Sequence, residues 1–205
     1  MSQSERVQTG LSPRDKIIER AIAVLEKDGE AAIRTNTIAA DCGCTAPILY
    51  REFQSREGLI IAAQAERYRR SSQEAVTALI RQITIATTRD ELYNNISISL
   101  DHIFSITRAS YRRLRADVIG SAVTRAELRQ EIVRVDNEYS RAIAAAYRPA
   151  VEAGWMSPIV NLEVIAFWAQ GLVNSRVAIE FDSQSAYATA WDELSKRAIL
   201  REIFG

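Results

Sequence analysis

The chain has 205 residues, 47% of them hydrophobic and 25% charged, with 26 Lys and Arg against 26 Asp and Glu. These are the proportions of an ordinary globule, long enough for one large core or for a small domain joined to a larger one. The even balance excludes a nucleic-acid binder that works by overall positive charge, so any such contact must come from locally placed cations. The longest uncharged run, Trp155 to Leu162, is too short and too polar to cross a bilayer.

From the N-terminus, Met1 to Leu11 lacks the apolar core of a secretory signal and reads as a disordered polar tail. Ser12-Pro13 is a helix start, with Ser as N-cap and Pro at the first helical position. Ile17, Ile18, Ala21, Ile22 and Leu25 follow at helical spacing, and Gly29 ends the helix. Thr35 to Cys42 reads as a short second helix capped by Thr35. After Gly43, Thr45 is placed to cap a third short helix through Arg51. Two helices of about two turns joined by a tight glycine turn are what a helix-turn-helix requires.

Ser55 is placed to cap a long fourth helix, from about Arg56 toward Ile83. Thr88 to Glu91 opens a fifth, and a shorter sixth is expected around Tyr111 to Ile119. The capping-box pattern Thr124/Glu127 opens a seventh, running to about Ala153. After a turn at Gly154-Trp155-Met156-Ser157-Pro158 come two more, about Leu162 to Phe181 and Ser185 to Phe204. Eight Gly and four Pro are few for this length, and no alternating strand pattern interrupts the helices. The fold class expected is all-α, with about nine helices.

The block Thr37-Ile38-Ala39-Ala40-Asp41-Cys42-Gly43-Cys44-Thr45-Ala46-Pro47-Ile48-Leu49-Tyr50-Arg51-Glu52-Phe53-Gln54-Ser55-Arg56-Glu57-Gly58-Leu59 carries the function. In order and spacing it resembles the signature of the TetR family of transcriptional regulators: an Ile-Ala pair, a turn Gly, a small polar cap, a Leu-Tyr pair, an aromatic, then Arg-Glu-x-Leu. The resemblance extends over about residues 13–60. It implies an N-terminal three-helix DNA-binding domain (12–56, after the 1–11 tail) and a C-terminal helical effector-binding and dimerisation domain (57–205).

The side-chain chemistry agrees with that implication. With Ile38, Cys42, Cys44, Leu49 and Phe53 packed inward, Ala46, Pro47, Ile48, Tyr50 and Arg51 are left to project from the third helix. Pro47 and Ile48 suit thymine methyl groups, Tyr50 offers a hydroxyl to phosphate, and Arg51 can reach a phosphate or a guanine edge. Thr35, Asn36 and Thr45 can donate to the DNA backbone, and Arg56 at the start of the fourth helix favours a phosphate. The family often has His where this chain has Glu52, so no contact is assigned there.

Other features allow two readings. Cys42-x-Cys44 could bind metal or sense oxidants, but with one His and no other Cys in the chain it is expected to pack as small hydrophobes; no metal or cofactor is expected. Asn95, Ser99 and His102 share one stripe of the fifth helix, either a solvated edge or polar anchors in an apolar effector pocket. In the family such a cavity lies among the helices corresponding to about residues 90–180, which adds Tyr111, Asn137 and Trp168. The cluster Arg108, Arg112, Arg113 and Arg115 is a solvated face or a site for an acidic effector. In the family the last two helices form a four-helix dimer interface, which implies Ala169, Leu172, Val173, Trp191 and Leu194 there.

The expected function is a sequence-specific DNA-binding transcriptional regulator. It would be a cytoplasmic homodimer on a palindromic operator, a repressor released by a small-molecule effector of unknown identity. The alternative is a DNA-binding dimer whose C-terminal body serves dimerisation or protein docking. An enzyme is not expected, because nothing pairs with His102 at a catalytic spacing.

Overall fold

The computed structural model describes residues 11–157, 161–182 and 184–205. The expected tail over residues 1–10, and Pro158 of the expected turn, lie outside the described residues. Within them the chain is helical, with nine α-helices and no strand. The helices are α1 (Pro13–Asp28), α2 (Thr35–Asp41), α3 (Ala46–Phe53), α4 (Arg56–Thr84), α5 (Arg89–Phe104), α6 (Ala109–Ala122), α7 (Ala126–Glu152), α8 (Leu162–Ser175) and α9 (Ala188–Phe204). No helix among the described residues is long and apolar enough to cross a membrane.

The chain divides into two compact units, one ending at Tyr68 and including Ser121–Glu131, the other formed by Arg69–Gly120 and Ile132–Gly205. In the first unit the Ser12 hydroxyl accepts from the Asp15 amide at 3.2 Å, as its position before Pro13 dictates. Ile17, Ala21, Ile38, Leu49, Leu59 and Ile60 are each no more than 1% exposed and form its core. Gly43 turns the chain between α2 and α3 with φ +65, a conformation that glycine adopts without strain. The segment from Ser121 is held by charge: Arg125 donates to Glu30 at 2.8 Å and also pairs with Glu57. Burial works against ionisation of Glu30, but hydrogen bonds from Ser121, Gln64 and Arg125 outweigh it and hold the carboxyl below its usual range.

Gly58 is fixed by close approach. A Cβ at this position would lie 2.1 Å from the Phe53 carbonyl oxygen, inside the turn where the Ser55 hydroxyl caps α4. That neighbour is backbone and cannot swing away. Gly58→Ala is therefore expected to cost about 1–3 kcal/mol, read as a lowered midpoint in denaturant with an unchanged slope.

The second unit buries Leu92, Ile96, Tyr147, Ile199 and Ile203, contributed by α5, α7 and α9. The Ser157 amide donates to the Ile203 carbonyl at 2.9 Å, tying the chain after α7 to α9. α8 stops at Ser175, short of its expected end, and the chain continues as a 3-10 helix over Arg176–Phe181. Ion pairs anchor that stretch. Arg176 donates to Asp192 at 2.6 Å, and Arg112 donates through Nε to Glu180 at 2.6 Å.

Arg112 and Arg115 are fully buried, which corrects the solvated-face reading for both, whereas Arg113 is exposed. Arg112 also donates to the Ile103 and Ser105 carbonyls. Arg115 donates to Asn174 and Ser72 and pairs with Asp136.

Candidate DNA-reading surface and effector cavity

In the first unit, α3 turns Leu49 and Phe53 into the core and leaves Pro47, Tyr50 and Arg51 exposed. Ala46 and Ile48 are half-buried, while Asn36 and Thr45 are exposed. Tyr50 keeps its hydroxyl 3.2 Å from that of Thr35, so the two helices present these groups side by side. Arg51 is well exposed and bonds Glu52 at 3.0 Å, a surface pair that a phosphate can displace at little cost.

Two expectations about helix starts are corrected. Arg34 rather than Thr35 occupies the cap position of α2, which leaves the Thr35 hydroxyl for Tyr50. Thr45 has the extended backbone of an N-cap, but its side chain makes no capping bond. Arg56 is partly engaged within the domain. Its Nε donates to the Ile33 carbonyl at 2.9 Å and its Nη2 to that of Glu30. It braces the turn before α2 while its side chain stays exposed.

Cys42 and Cys44 pack against the core of this unit, with the Cys42 thiol donating to the Lys16 carbonyl at 3.4 Å. Burial pushes that thiol up, away from the reactive thiolate. Among the described residues no group of three His, Cys, Asp or Glu could hold a metal ion.

The second unit contains a cavity of about 380 Å³, within the roughly 300–1,000 Å³ usual for small-molecule sites. Apolar side chains dominate its wall, among them Leu79, Ile96, Ile103, Ile165 and Val173. Tyr147 lines it too, nearly fully buried, and burial holds its phenol above the ordinary range and therefore neutral. Of the expected polar anchors, Ser99, His102 and Tyr111 line this cavity. The exposed lining residues Glu74 and Ile98 mark its open side.

Three other expected anchors do not line it. Asn95 donates to the Gln82 carbonyl at 3.0 Å, Asn137 is exposed on α7, and Trp168 is on the exposed side of α8. The phase of α8 is the reason: Ile165, Ala169 and Val173 face the cavity, so Val164, Phe167 and Trp168 face out. The same phase corrects the expected interface, because Ala169 and Val173 line the cavity and Leu172 packs against the core. On α9, Leu194 is exposed and Trp191 half-buried. Sequence reasoning missed Glu74, which lines the cavity from α4; of the arginine cluster offered for an acidic effector, Arg108 alone lines it, from the turn before α6. Helical spacing from Glu74 to Ala75, Ala78, Leu79 and Gln82 was the available signal.

Residues 17–63 match the family described as bacterial regulatory proteins, tetR family. No curated protein matches the sequence. Among solved structures, a TetR-family transcriptional regulator from Cytophaga hutchinsonii is similar over 100% of this chain and 98% of its own, at 17% identity and TM-score 0.66. FadR from Bacillus subtilis, in complex with stearoyl-CoA, is similar over 92% of this chain and 98% of its own, at 16% identity and TM-score 0.60. A protein from Saccharomonospora viridis in complex with choline is similar over 94% of this chain and 97% of its own, at 13% identity and TM-score 0.62.

Proposed function

From a chain that carries a TetR-family DNA-binding domain on the TetR-family fold, we propose a cytoplasmic, dimeric, sequence-specific repressor released by a small molecule held in its C-terminal unit. What carries the proposal is the pairing of an exposed reading face on α3 with an apolar cavity in the other unit. The cavity favours the effector reading over a body that serves only dimerisation or docking. Release follows if the ligand prefers a state of the dimer that binds DNA poorly. The reading includes no enzymatic step.

We assign DNA contacts to Thr35, Asn36, Thr45, Ala46, Pro47, Ile48, Tyr50 and Arg51. Pro47 and Ile48 meet bases, while Tyr50 and Arg51 meet the backbone. With few free cations per head, two heads are needed for useful affinity. We place the dimer interface on α8 and α9, which pack together within the chain and expose Val164, Phe167, Trp168 and Leu194.

Arg51→Ala tests the reading face. Measured on a duplex selected from a random library, it is expected to weaken binding about tenfold. It should also reduce the salt dependence of affinity by about one phosphate contact per half-site. An unchanged salt slope would remove Arg51 from the interface.

A further inference from the structure

The cavity holds one cation whose bonding is incomplete. Arg112 and Arg115 each spread their donors over three different partners. The guanidinium of Arg108, on the cavity wall, has a single hydrogen-bond partner among the described residues: its Nη1 donates to Glu74 at 2.8 Å. Its Nε is sealed from solvent with no acceptor. A buried donor left unpaired is costly, and for a charged group the loss is larger.

The guanidinium is also held in place. Its carbon lies 4.7 Å from the centre of the Tyr111 ring, which lines the cavity as well. Glu74 is 69% exposed while Arg108 is only 17% exposed, so their bond is a rim contact that another acceptor can replace. Among the described lining residues Arg108 is the only Arg or Lys, and the wall beyond it is mainly apolar, with Ser99, His102 and Gln170 among its few polar groups.

We propose that the effector is an elongated apolar molecule ending in an anionic, oxygen-bearing head, of the class of a medium-chain carboxylate. The head displaces Glu74 and accepts from the Arg108 guanidinium, which then turns to bring its sealed, unpaired Nε–H to the head, while the chain fills the space lined by Leu79, Ile103, Ile165 and Val173. Glu74 belongs to α4, the helix that begins in the DNA-binding unit. A head group that displaces Glu74 therefore changes what holds α4 to the cavity wall. The proposal rests on the effector reading above and names its ligand class; choline and stearoyl-CoA, held by two similar folds, differ in charge, and here Arg108 decides for the anion.

Calorimetry on the full chain without DNA tests this, with three ligands of one chain length: decanoate, decan-1-ol and decylammonium. Decanoate is expected to bind about tenfold or more tightly than the alcohol, the worth of a hydrogen bond to a charged group. In Arg108→Gln that preference should fall to near unity with the affinity for decanol kept. In Glu74→Gln, where the competitor for Arg108 is weakened, decanoate should bind more tightly. Tightest binding of decylammonium, equal binding of acid and alcohol, no binding of any of the three, or a preference that survives Arg108→Gln would overturn it. Each of these outcomes is read without DNA, so none of them bears on whether the protein recognises an operator.

Discussion

Replacing Phe167 with Asp is expected to turn the proposed dimer into a monomer and to lower affinity for a two-fold operator by about 100-fold or more. Phe167 is 59% exposed, beside the exposed Val164 and Trp168 on α8. A monomer gains nothing from so much apolar surface in water, whereas a dimer removes it. A carboxylate there would be buried without a partner in the dimer and stay hydrated in the monomer, so the substitution acts on association rather than on the fold. The loss on DNA follows from geometry. Linking two heads makes the second contact intramolecular, and that gain, about 10²- to 10⁴-fold, disappears with the dimer. Light scattering gives the mass, anisotropy the affinity, and circular dichroism should show an unchanged melt for the diluted monomer. Ile106→Asp, at a site 73% exposed, serves as the control and should stay dimeric. A dimer that persists in Phe167→Asp places the interface elsewhere.

Removing the carboxylate of Glu180 is expected to destabilise the protein by about 3–5 kcal/mol, the usual cost of leaving a buried partner charge unmatched. Arg112 is fully buried and Glu180 is 2% exposed, so no water replaces the lost acceptor. Arg176 lies 3.6 Å from the same carboxylate oxygen and 2.6 Å from Asp192, and keeps only the second partner. The two backbone carbonyls on Arg112 satisfy its donors but do not balance its charge. Glu180→Ala should therefore lower the urea midpoint strongly, Glu180→Gln should cost less because it keeps an acceptor, and Arg113→Ala should change little because Arg113 is solvated. A loss under about 1 kcal/mol in Glu180→Ala would mean that the network contributes little.

How far the sequence led differs between the units. In the first, Ser12-Pro13, the α1 stripe and Gly43 are local signals, and the structure follows them because short helices obey caps and turns. Arg56 shows what such reasoning leaves out. Its place at a helix start suggested a phosphate, and nothing local announced that two carbonyls far back in the chain also take its Nε and Nη2. In the second unit, the helix Leu-Glu-Val-Ile-Ala-Phe-Trp-Ala-Gln-Gly-Leu-Val is apolar on nearly every side. Periodicity could not say which side faced the cavity, and Trp168 and Ala169 exchanged places. The burial of Arg112 and Arg115 was illegible for a related reason: their partners Glu180 and Asn174 are 68 and 59 residues away. Nothing local separates an arginine that meets such partners from the solvated Arg113.

The central claim, a two-headed reader of specific DNA, is tested most directly by selecting duplexes from a random library with the full-length protein and sequencing those retained. The expected result is enrichment of a two-fold symmetric sequence, its half-sites about one helical turn apart or a multiple of that, and loss of the enrichment in Phe167→Asp. Retained duplexes with no common sequence, or with a single unrepeated half-site, would contradict it.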